Sequence, residues 1–178
     1  REMAQADQSP NWLERNNASK FWRRVEQSVN TAKTEQQRSL AIRNQAMISL
    51  MIYAGLRESE VADLTISDLL LTDRKGAVTI HNGKGGKTRR VPLGREARRA
   101  VSSWLEIAET ESVFNSLTTR QIQRVVRSIG QEVGLSITPH QLRHTMLKRY
   151  LDNGGQLTEA AAIAGHSRLE TTRRYVAP

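Results

Sequence analysis

The stretch "HQLRHTMLKRY" (140–150) decides the fold, because its apolar residues recur at helical spacing around a charged one. At roughly 100° per residue, the apolar side chains share one half of a helix. Arg143 falls at the centre of that half, with His140 and His144 near its edge. A guanidinium keeps its proton and is unfavourable to bury alone, so an inward-facing arginine needs a carboxylate partner or an anionic ligand. The stretch therefore predicts a core helix that carries either an internal ion pair or a grip on a phosphate.

The same two histidines raise the question of a metal site. Histidines at i and i+4 on one helix face can hold zinc. Here the fixed cation of Arg143 stands between His140 and His144 and would repel a metal ion. We therefore predict that this pair holds no metal, and we expect no other cofactor.

The charge of the chain predicts a polyanionic partner. It has 27 Lys and Arg against 18 Asp and Glu, which gives a formal net charge of +9 and a pI near 10.6. This excess favours nucleic acid over the alternative of an ordinary solvated basic surface. The chain has no cysteine, which excludes a disulfide framework and a thiolate metal site. Without a membrane-length apolar run or a signal peptide, we expect a soluble, cytoplasmic protein.

The length of 178 residues suits one domain with an arm. Residues 1–10 are polar and end in Ser-Pro, which predicts a linker or disordered arm. Residues 11–178 are then one domain. Because the chain begins with Arg1 rather than Met, we expect a fragment of a longer protein.

Periodicity and capping residues predict a mostly helical domain with a small antiparallel sheet, an α+β fold. The segment "AVTIHNGKGGKTRRVPL" (77–93) alternates, breaks at glycines and resumes, which predicts a β-hairpin with a flexible tip. A first helix is expected from about Asn11, with an apolar face that is broken near "NNAS" (16–19). Further helices are predicted over Glu35–Tyr53, from about Ser59, over 94–108, 119–133, 139–153 and 158–164, and in a last segment capped by Ser167 and Glu170.

Two basic residues, Arg57 and Lys84, stand where they could contact an anionic ligand. Arg57, in "GLRESEV" (55–61), lies between one helix end and the next helix start, where a cation works against the helix dipole. A phosphate would favour both the arginine and the helix end. Pairing with Glu58 or Glu60 is the structural alternative. Lys84 lies among glycines at the hairpin tip, where it could swing onto a ligand or be an ordinary solvated turn residue.

The C-terminal stretch "AGHSRLETTRRY" (164–175) adds His166 and Tyr175 to this set. A tyrosine on such a helix is usually core filler, but basic neighbours would stabilise its phenolate and help it act as a nucleophile. Two arginines, a lysine, two histidines and a tyrosine together describe a metal-free phosphoryl-transfer site. In this hypothesis the tyrosine attacks a phosphodiester, and the arginines stabilise the charge that develops on the phosphorane.

These motifs resemble, in order, those of the tyrosine recombinases, also called the phage integrase family. "GLRESEV" resembles the family's first arginine box, and "NGKGGKTRRVPL" (82–93) is similar to its lysine-bearing hairpin. "HQLRHT" (140–145) resembles the His-x-x-Arg box, and "AGHSRLETTRRY" resembles the Gly-His box with the nucleophilic tyrosine. The resemblance runs from about residue 40 to residue 176 and implies the family's catalytic-domain fold.

The resemblance implies a role for each matching residue. Arg57 and Arg143 would activate the phosphate. Tyr175 would attack it, forming a 3′-phosphotyrosyl link and releasing a 5′-hydroxyl. Lys84, with Lys87 as its rival, would be the general acid for the leaving oxygen.

The other matching residues would support this chemistry. His140 would assist proton transfer at the nucleophile, and His166 would hydrogen-bond the phosphate. Glu60 would hold the site together, and His144 would be structural. The predicted DNA contacts are Lys87, Arg89, Arg168 and Arg173.

The implied activity is site-specific recombination of double-stranded DNA, as in integration, excision or resolution of a mobile element, without ATP or a metal. A homotetramer on two duplexes, associated with a bacterial nucleoid, is implied for the full-length protein. Ala164 stands where many relatives carry leucine, a packing change expected to be harmless. The chain ends three residues past Tyr175 (178 − 175 = 3), short of the family's C-terminal docking helix, and we expect its N-terminal DNA-clamping domain to be absent.

Two other functions stay open on the sequence alone. A type IB topoisomerase uses similar residues to relax DNA without exchanging partners, although the wording of the motifs favours a recombinase. A non-enzymatic helix-turn-helix regulator would use 167–175 as its recognition helix. That alternative explains the charge but leaves Arg57, Lys84 and the His140–Arg143 pair without a role.

Overall fold

A computed structural model describes residues 11–81, 88–108, 111–114, 116–166, 170–173 and 175. Within them the chain is mostly helical with one small antiparallel sheet, which confirms the predicted fold class. The helices are α1 (Arg15–Asn30), α2 (Glu35–Ile52), α3 (Glu58–Ala62), α4 (Arg95–Leu105), α5 (Thr119–Glu132), α6 (Pro139–Asp152), α7 (Leu157–Ala164) and α8 (Glu170–Arg173). The strands are β1 (Leu69–Leu71), β2 (Gly76–Ile80) and β3 (Arg89–Pro92).

Helix α2 is the centre of the main core. The Thr34 side chain caps its start by accepting from the backbone N–H of Gln37, and its last turns, from Met47 to Ile52, are buried on every side. Burying each large apolar side chain contributes about 1.5–3 kcal/mol relative to leaving it exposed. The helix packs against α1, α4 and α6, so α2 fixes the position of the helix that carries Arg143.

Gly55 ends this central element where a larger residue would not fit. Its φ of 70° lies in the left-handed region, and a Cβ there would stand 2.2 Å from the terminal methyl carbon of Met146 on α6. Glycine adopts this backbone without steric cost. The chain can therefore turn closely past α6, which brings Arg57 and Arg143 into the same region.

The predicted hairpin is present as β2 and β3, and β1 adds a third strand. β2 is the central strand, with Val78 opposite Leu69 of β1 and Val91 of β3. Strand β1 was not predicted, because its three residues are too few to show an alternating pattern. The hairpin tip, residues 82–87 with Lys84 and Lys87, lies outside the described residues.

The predicted start of the first helix is wrong. Helix α1 begins at Arg15 rather than Asn11, and it includes residues 16–19, where the apolar face was expected to break. Asparagine has weak helix propensity, but tertiary packing overrides such preferences. Ala18, Phe21 and Val25 share a buried face on this helix, and that face packs against α2.

The C-terminal elements form a second apolar cluster beside the first. Thr138 and Gln141 make a capping box at the start of α6, and α7 ends at Gly165, whose φ of 60° is left-handed. The proposed cap at Ser167 lies outside the described residues. The buried members of the cluster are Met146, Leu147, Ala160, Ala164 and Tyr175. None of the helices in the described part of the chain combines the length and apolarity needed to cross a membrane.

Candidate active site

Arg143 lies buried where the sequence placed it, on the inward face of α6, with 3% of its surface exposed. Its guanidinium donates to the carbonyl oxygens of Gly55 (2.5 Å) and Ala164 (2.6 Å), and its Nη2 is 3.4 Å from Nε2 of His166. Burial lowers the pKa of Arg143 to about 10, and the nearby charge of Arg57 adds to this effect. The group stays charged at neutral pH, and its carbonyl acceptors leave that charge available to an anion.

Glu60 joins two further arginines in one ion-pair network. Its Oε1 accepts from Nη1 of Arg57 (2.8 Å) and Nη1 of Arg89 (2.9 Å), and its Oε2 accepts from Nη2 of Arg89 (2.8 Å). Oε2 also accepts from the backbone N–H of Arg57 (2.9 Å). Burial alone would raise the pKa of Glu60, but the hydrogen bonds and charges of the arginines bring it below the usual value. A single carboxylate thus orients both guanidinium groups.

The side chain of Arg89 is mostly buried, although the residue lies on a basic hairpin. Its Nε donates to the carbonyl oxygen of Ile163 on α7 (2.9 Å), and its side chain is only 12% exposed. We predicted Arg89 as a DNA contact, whereas its guanidinium is bonded to Glu60 and to α7. Its structural contribution is to tie the hairpin to α3, which carries Glu60, and to α7, which His166 follows.

His166 follows the left-handed Gly165 at the end of α7. Its Nδ1 lies 2.9 Å from Oγ1 of Thr172 on α8, and its Nε2 faces Arg143. A Cβ at residue 165 would come within 3.2 Å of the Arg89 guanidinium carbon, so this turn runs close to the arginine network. His166 is therefore held between α8 and the buried arginine.

Tyr175 is buried, with 1% of its surface exposed, and its hydroxyl contacts Nδ1 of His144 on α6. Nε2 of His144 in turn contacts Nε2 of His140, one helical turn back, with the two ring centroids 4.0 Å apart. The indole of Trp12, just before α1, lies 6.1 Å from the Tyr175 ring. The phenol therefore ends among two histidines and one tryptophan.

The structure brings most of the predicted site residues into two adjoining groups. The cationic group contains Arg57, Glu60, Arg89, Arg143 and His166, and the phenolic group contains His140, His144 and Tyr175. The two groups meet on α6, where neighbouring residues of one helix belong to each. Arg173 is exposed at the end of α8. Lys84, Lys87 and Arg168 lie outside the described residues.

One basic surface escaped the sequence reasoning. Arg120, Arg124 and Arg127 are exposed on α5 at i, i+4 and i+7, and they therefore form one stripe. Gln123, on the same helix, donates to Glu58 (2.8 Å), the residue after Arg57, so the stripe adjoins the cationic group. The spacing of the three arginines was the available signal.

The chain matches a known protein family along most of its length. The model described as the phage integrase family matches residues 15–178. A tyrosine recombinase XerC from Pseudomonas fluorescens is 37% identical over 147 residues, which are 76% of this chain and 48% of that protein. The chain spans about half the length of the curated relatives it matches.

Two solved structures share the fold. XerA recombinase superposes with a TM-score of 0.79 at 26% identity, over 98% of this chain and 61% of that one. XerH site-specific recombinase, bound to its difH substrate in a pre-cleavage complex, gives a TM-score of 0.77 at 24% identity, over 93% and 50%. At that lower identity the XerH likeness shows the fold alone.

Proposed function

Because this chain belongs to the phage integrase family, we propose that it cleaves and rejoins double-stranded DNA at specific sites through a 3′-phosphotyrosyl intermediate. The observation that supports the proposal is that neighbouring residues of α6 serve the two groups of the site. Arg143 is the buried arginine, and the adjacent His144 contacts the hydroxyl of the buried Tyr175. A phosphate binder and a nucleophile are thereby assigned to the same site.

Phosphate recognition is the task of the cationic group. Arg57 is partly exposed and adjoins solvent, whereas Arg143 is enclosed, so a phosphate would contact Arg57 on entry and Arg143 at full engagement. Arginine suits this role because its planar fork donates several hydrogen bonds to phosphate oxygens. Oriented in advance by Glu60 and by backbone carbonyls, the two guanidinium groups would stabilise the charge that develops on the phosphorane.

In the cleavage step the phenol oxygen of Tyr175 forms a bond to phosphorus while the bond to the 5′ oxygen breaks. The leaving oxygen takes a proton from Lys84 and becomes a 5′-hydroxyl. Rejoining reverses these events with a 5′-hydroxyl from the same or another duplex. The phosphotyrosyl ester keeps the bond energy of the phosphodiester, so the exchange needs no ATP.

The charge distribution supports DNA as the partner. The net charge of +9 is concentrated in part along α5, where the arginine stripe adjoins Arg57. Phosphate contacts of this kind release counterions and make affinity depend on salt. We propose that this stripe follows the DNA backbone while Arg57 and Arg143 hold the scissile phosphate.

Recombination between partner sites requires more than one active site. We propose that the full-length protein acts as a homotetramer on two duplexes, with Lys87, Arg168 and Arg173 as additional DNA contacts. Action on the bacterial nucleoid belongs to the same proposal.

The helix-turn-helix alternative requires residues 167–175 to form an exposed recognition helix. A recognition helix must present its side chains to a DNA groove. Within that segment, α8 comprises Glu170–Arg173, and Tyr175 is buried. The residue that would end the proposed recognition helix is therefore not available to the major groove.

Covalent capture on DNA tests the proposal. The chain is incubated with a pool of randomised nicked duplexes from which a cleaved end diffuses away, and protein–DNA adducts are recovered under denaturing conditions. We expect an adduct from the wild type and from Tyr150→Phe, a tyrosine on α6 whose hydroxyl contacts Glu159, and none from Tyr175→Phe. An adduct that survives Tyr175→Phe would contradict the assigned nucleophile. Relaxation of supercoiled plasmid without partner exchange would support the topoisomerase alternative.

A further inference from the structure

His144 is a buried titratable residue that has no role in the proposed cleavage step. Only 2% of its surface is exposed, and it lies between Tyr175 and His140, which do have proposed roles. Its Nδ1 contacts the hydroxyl of Tyr175, and its Nε2 contacts Nε2 of His140. An imidazole that touches a phenol with one nitrogen and another imidazole with the second is arranged to pass a proton.

The contacts from Tyr175 through His144 to His140 also connect the buried phenol to the protein surface. Tyr175 and His144 are buried, whereas His140 is exposed at the first turn of α6. With the His144 proton on Nε2, its Nδ1 can accept from the phenol while Nε2–H donates to an unprotonated Nε2 of His140. A proton can then move from the buried hydroxyl to an imidazole in contact with solvent.

We propose that His144 is the direct proton acceptor for Tyr175 and that His140 acts through it. This proposal rests on the proposed function. As the phenol oxygen bonds to phosphorus, its O–H bond breaks and the proton goes to Nδ1 of His144. The Nε2 proton of His144 passes to His140, which releases a proton to solvent. His144 returns to a neutral imidazole, and no external acid or oxidant is needed.

The surrounding charges explain why the proton has to leave His144. Arg143 precedes it on α6, and Tyr175 and His140 contact it directly. Lys148, one turn further on, lies over the Trp12 ring and is paired with Asp152, so its charge is compensated. A buried imidazolium next to the Arg143 guanidinium is disfavoured by both burial and repulsion. Transfer to the exposed His140 places the positive charge in water instead.

The alternative is that His144 only positions the phenol, and His144→Asn separates the two roles. The amide oxygen of asparagine comes close to the place of Nδ1 and can accept a hydrogen bond, but it cannot take up a proton. We expect single-turnover adduct formation to slow on the order of 10²-fold, the lower end for general base catalysis. We expect the wild-type rate to fall on acidification between about pH 8 and 5, and this fall should disappear in the variant. A wild-type rate and pH profile in His144→Asn would overturn the proposal, and thermal unfolding checks that the variant folds.

Two chemical substitutions test the direction of the proton. Replacing Tyr175 by 3-fluorotyrosine lowers the pKa of the phenol, so the phenol depends less on a base. The ratio of the wild-type rate of adduct formation to the His144→Asn rate should therefore become smaller. An unchanged ratio would count against proton acceptance by His144. With a sulfur in place of the leaving 5′ oxygen, departure needs little protonation, so the His144→Asn defect should persist. Recovery on that substrate would place His144 at the leaving group and refute its assigned role.

Failure of this proposal is distinguishable from failure of the proposed function. If the wild type forms no adduct, the recombinase proposal itself fails. If the wild type forms an adduct through Tyr175 but His144→Asn is unaffected, only the role of His144 is wrong.

Discussion

Glu60→Gln is the substitution that most directly tests how the cationic group is held together. The carboxylate accepts four hydrogen bonds, two from Arg89 and two from Arg57, and its side chain is 9% exposed. Glutamine has nearly the same shape but is neutral, and its amide nitrogen would face another donor. The guanidinium groups of Arg57 and Arg89 would lose their negatively charged partner, while the volume of the side chain at residue 60 would stay nearly the same.

The expected loss of stability follows from burial. Removing one partner of a buried ion pair lowers the free energy of unfolding by about 3–5 kcal/mol. Arg89 is 12% exposed and Arg57 is 29% exposed, so solvent relieves part of the loss, and we expect a value near the lower limit, about 3 kcal/mol. Glu96→Gln is the matched control, because Glu96 pairs with Arg95 at the surface and should change stability by about 0–1 kcal/mol.

The assay is urea unfolding of the wild type and both variants as a function of pH. The folded-state pKa of Glu60 lies below its usual value, so its stabilising effect is present above the unfolded-state pKa and is lost as the pH falls through the folded-state pKa. The difference between wild type and Glu60→Gln should therefore be largest near neutral pH and shrink below about pH 4.5. Equal effects of Glu60→Gln and Glu96→Gln, or a difference that grows in acid, would refute the reasoning.

Three further predictions concern catalysis, access to the nucleophile and DNA binding. Arg143→Lys keeps the charge but loses the guanidinium fork, so single-turnover cleavage should slow on the order of 10²–10³-fold, and a near-wild-type rate would show that the fork is dispensable. Trp12→Ala removes the ring that packs on Tyr175, so tetranitromethane should nitrate Tyr175 faster, and an unchanged rate of nitration would mean that Trp12 does not shield it. Arg124→Gln should lower the slope of log affinity against log salt by about 1, which filter binding measures, and an unchanged slope would remove the α5 stripe from the DNA interface.

Local signals were enough to predict α6 and the inward direction of Arg143. The apolar spacing that predicted the helix lies within one segment, and in the structure the same segment also carries a capping box at Thr138 and Gln141 and Pro139 at the first helical position. The hairpin strands were equally readable from their own alternation. What depended on distant contacts was not readable, and this includes the partners of Arg143, which are carbonyl groups of Gly55 and Ala164.

Arg89 and His144 also have surroundings that the sequence could not predict. Basic composition suggested an exposed Arg89, but the register of β3 turns its side chain toward Glu60 and α7. For His144, helical spacing could not distinguish a core histidine from a functional one. Its contact with Tyr175 arises only when α6 and the segment after α8 pack together. In both cases the sequence specified the residue, and tertiary packing specified its surroundings.

The electrostatics of the cationic group argue that it is built for a ligand rather than for stability. Arg57, Arg89 and Arg143 influence one another, and the carboxylate among them is Glu60, so these four side chains carry 3 − 1 = +2 charges. Burial of an excess positive charge opposes folding, and a core optimised for stability would use apolar residues of similar volume. In the proposed function, a phosphate diester would bring one negative charge to this place and relieve the repulsion. The excess charge that opposes folding would then favour binding of the phosphate, and we expect added DNA to raise the free energy of unfolding of the chain.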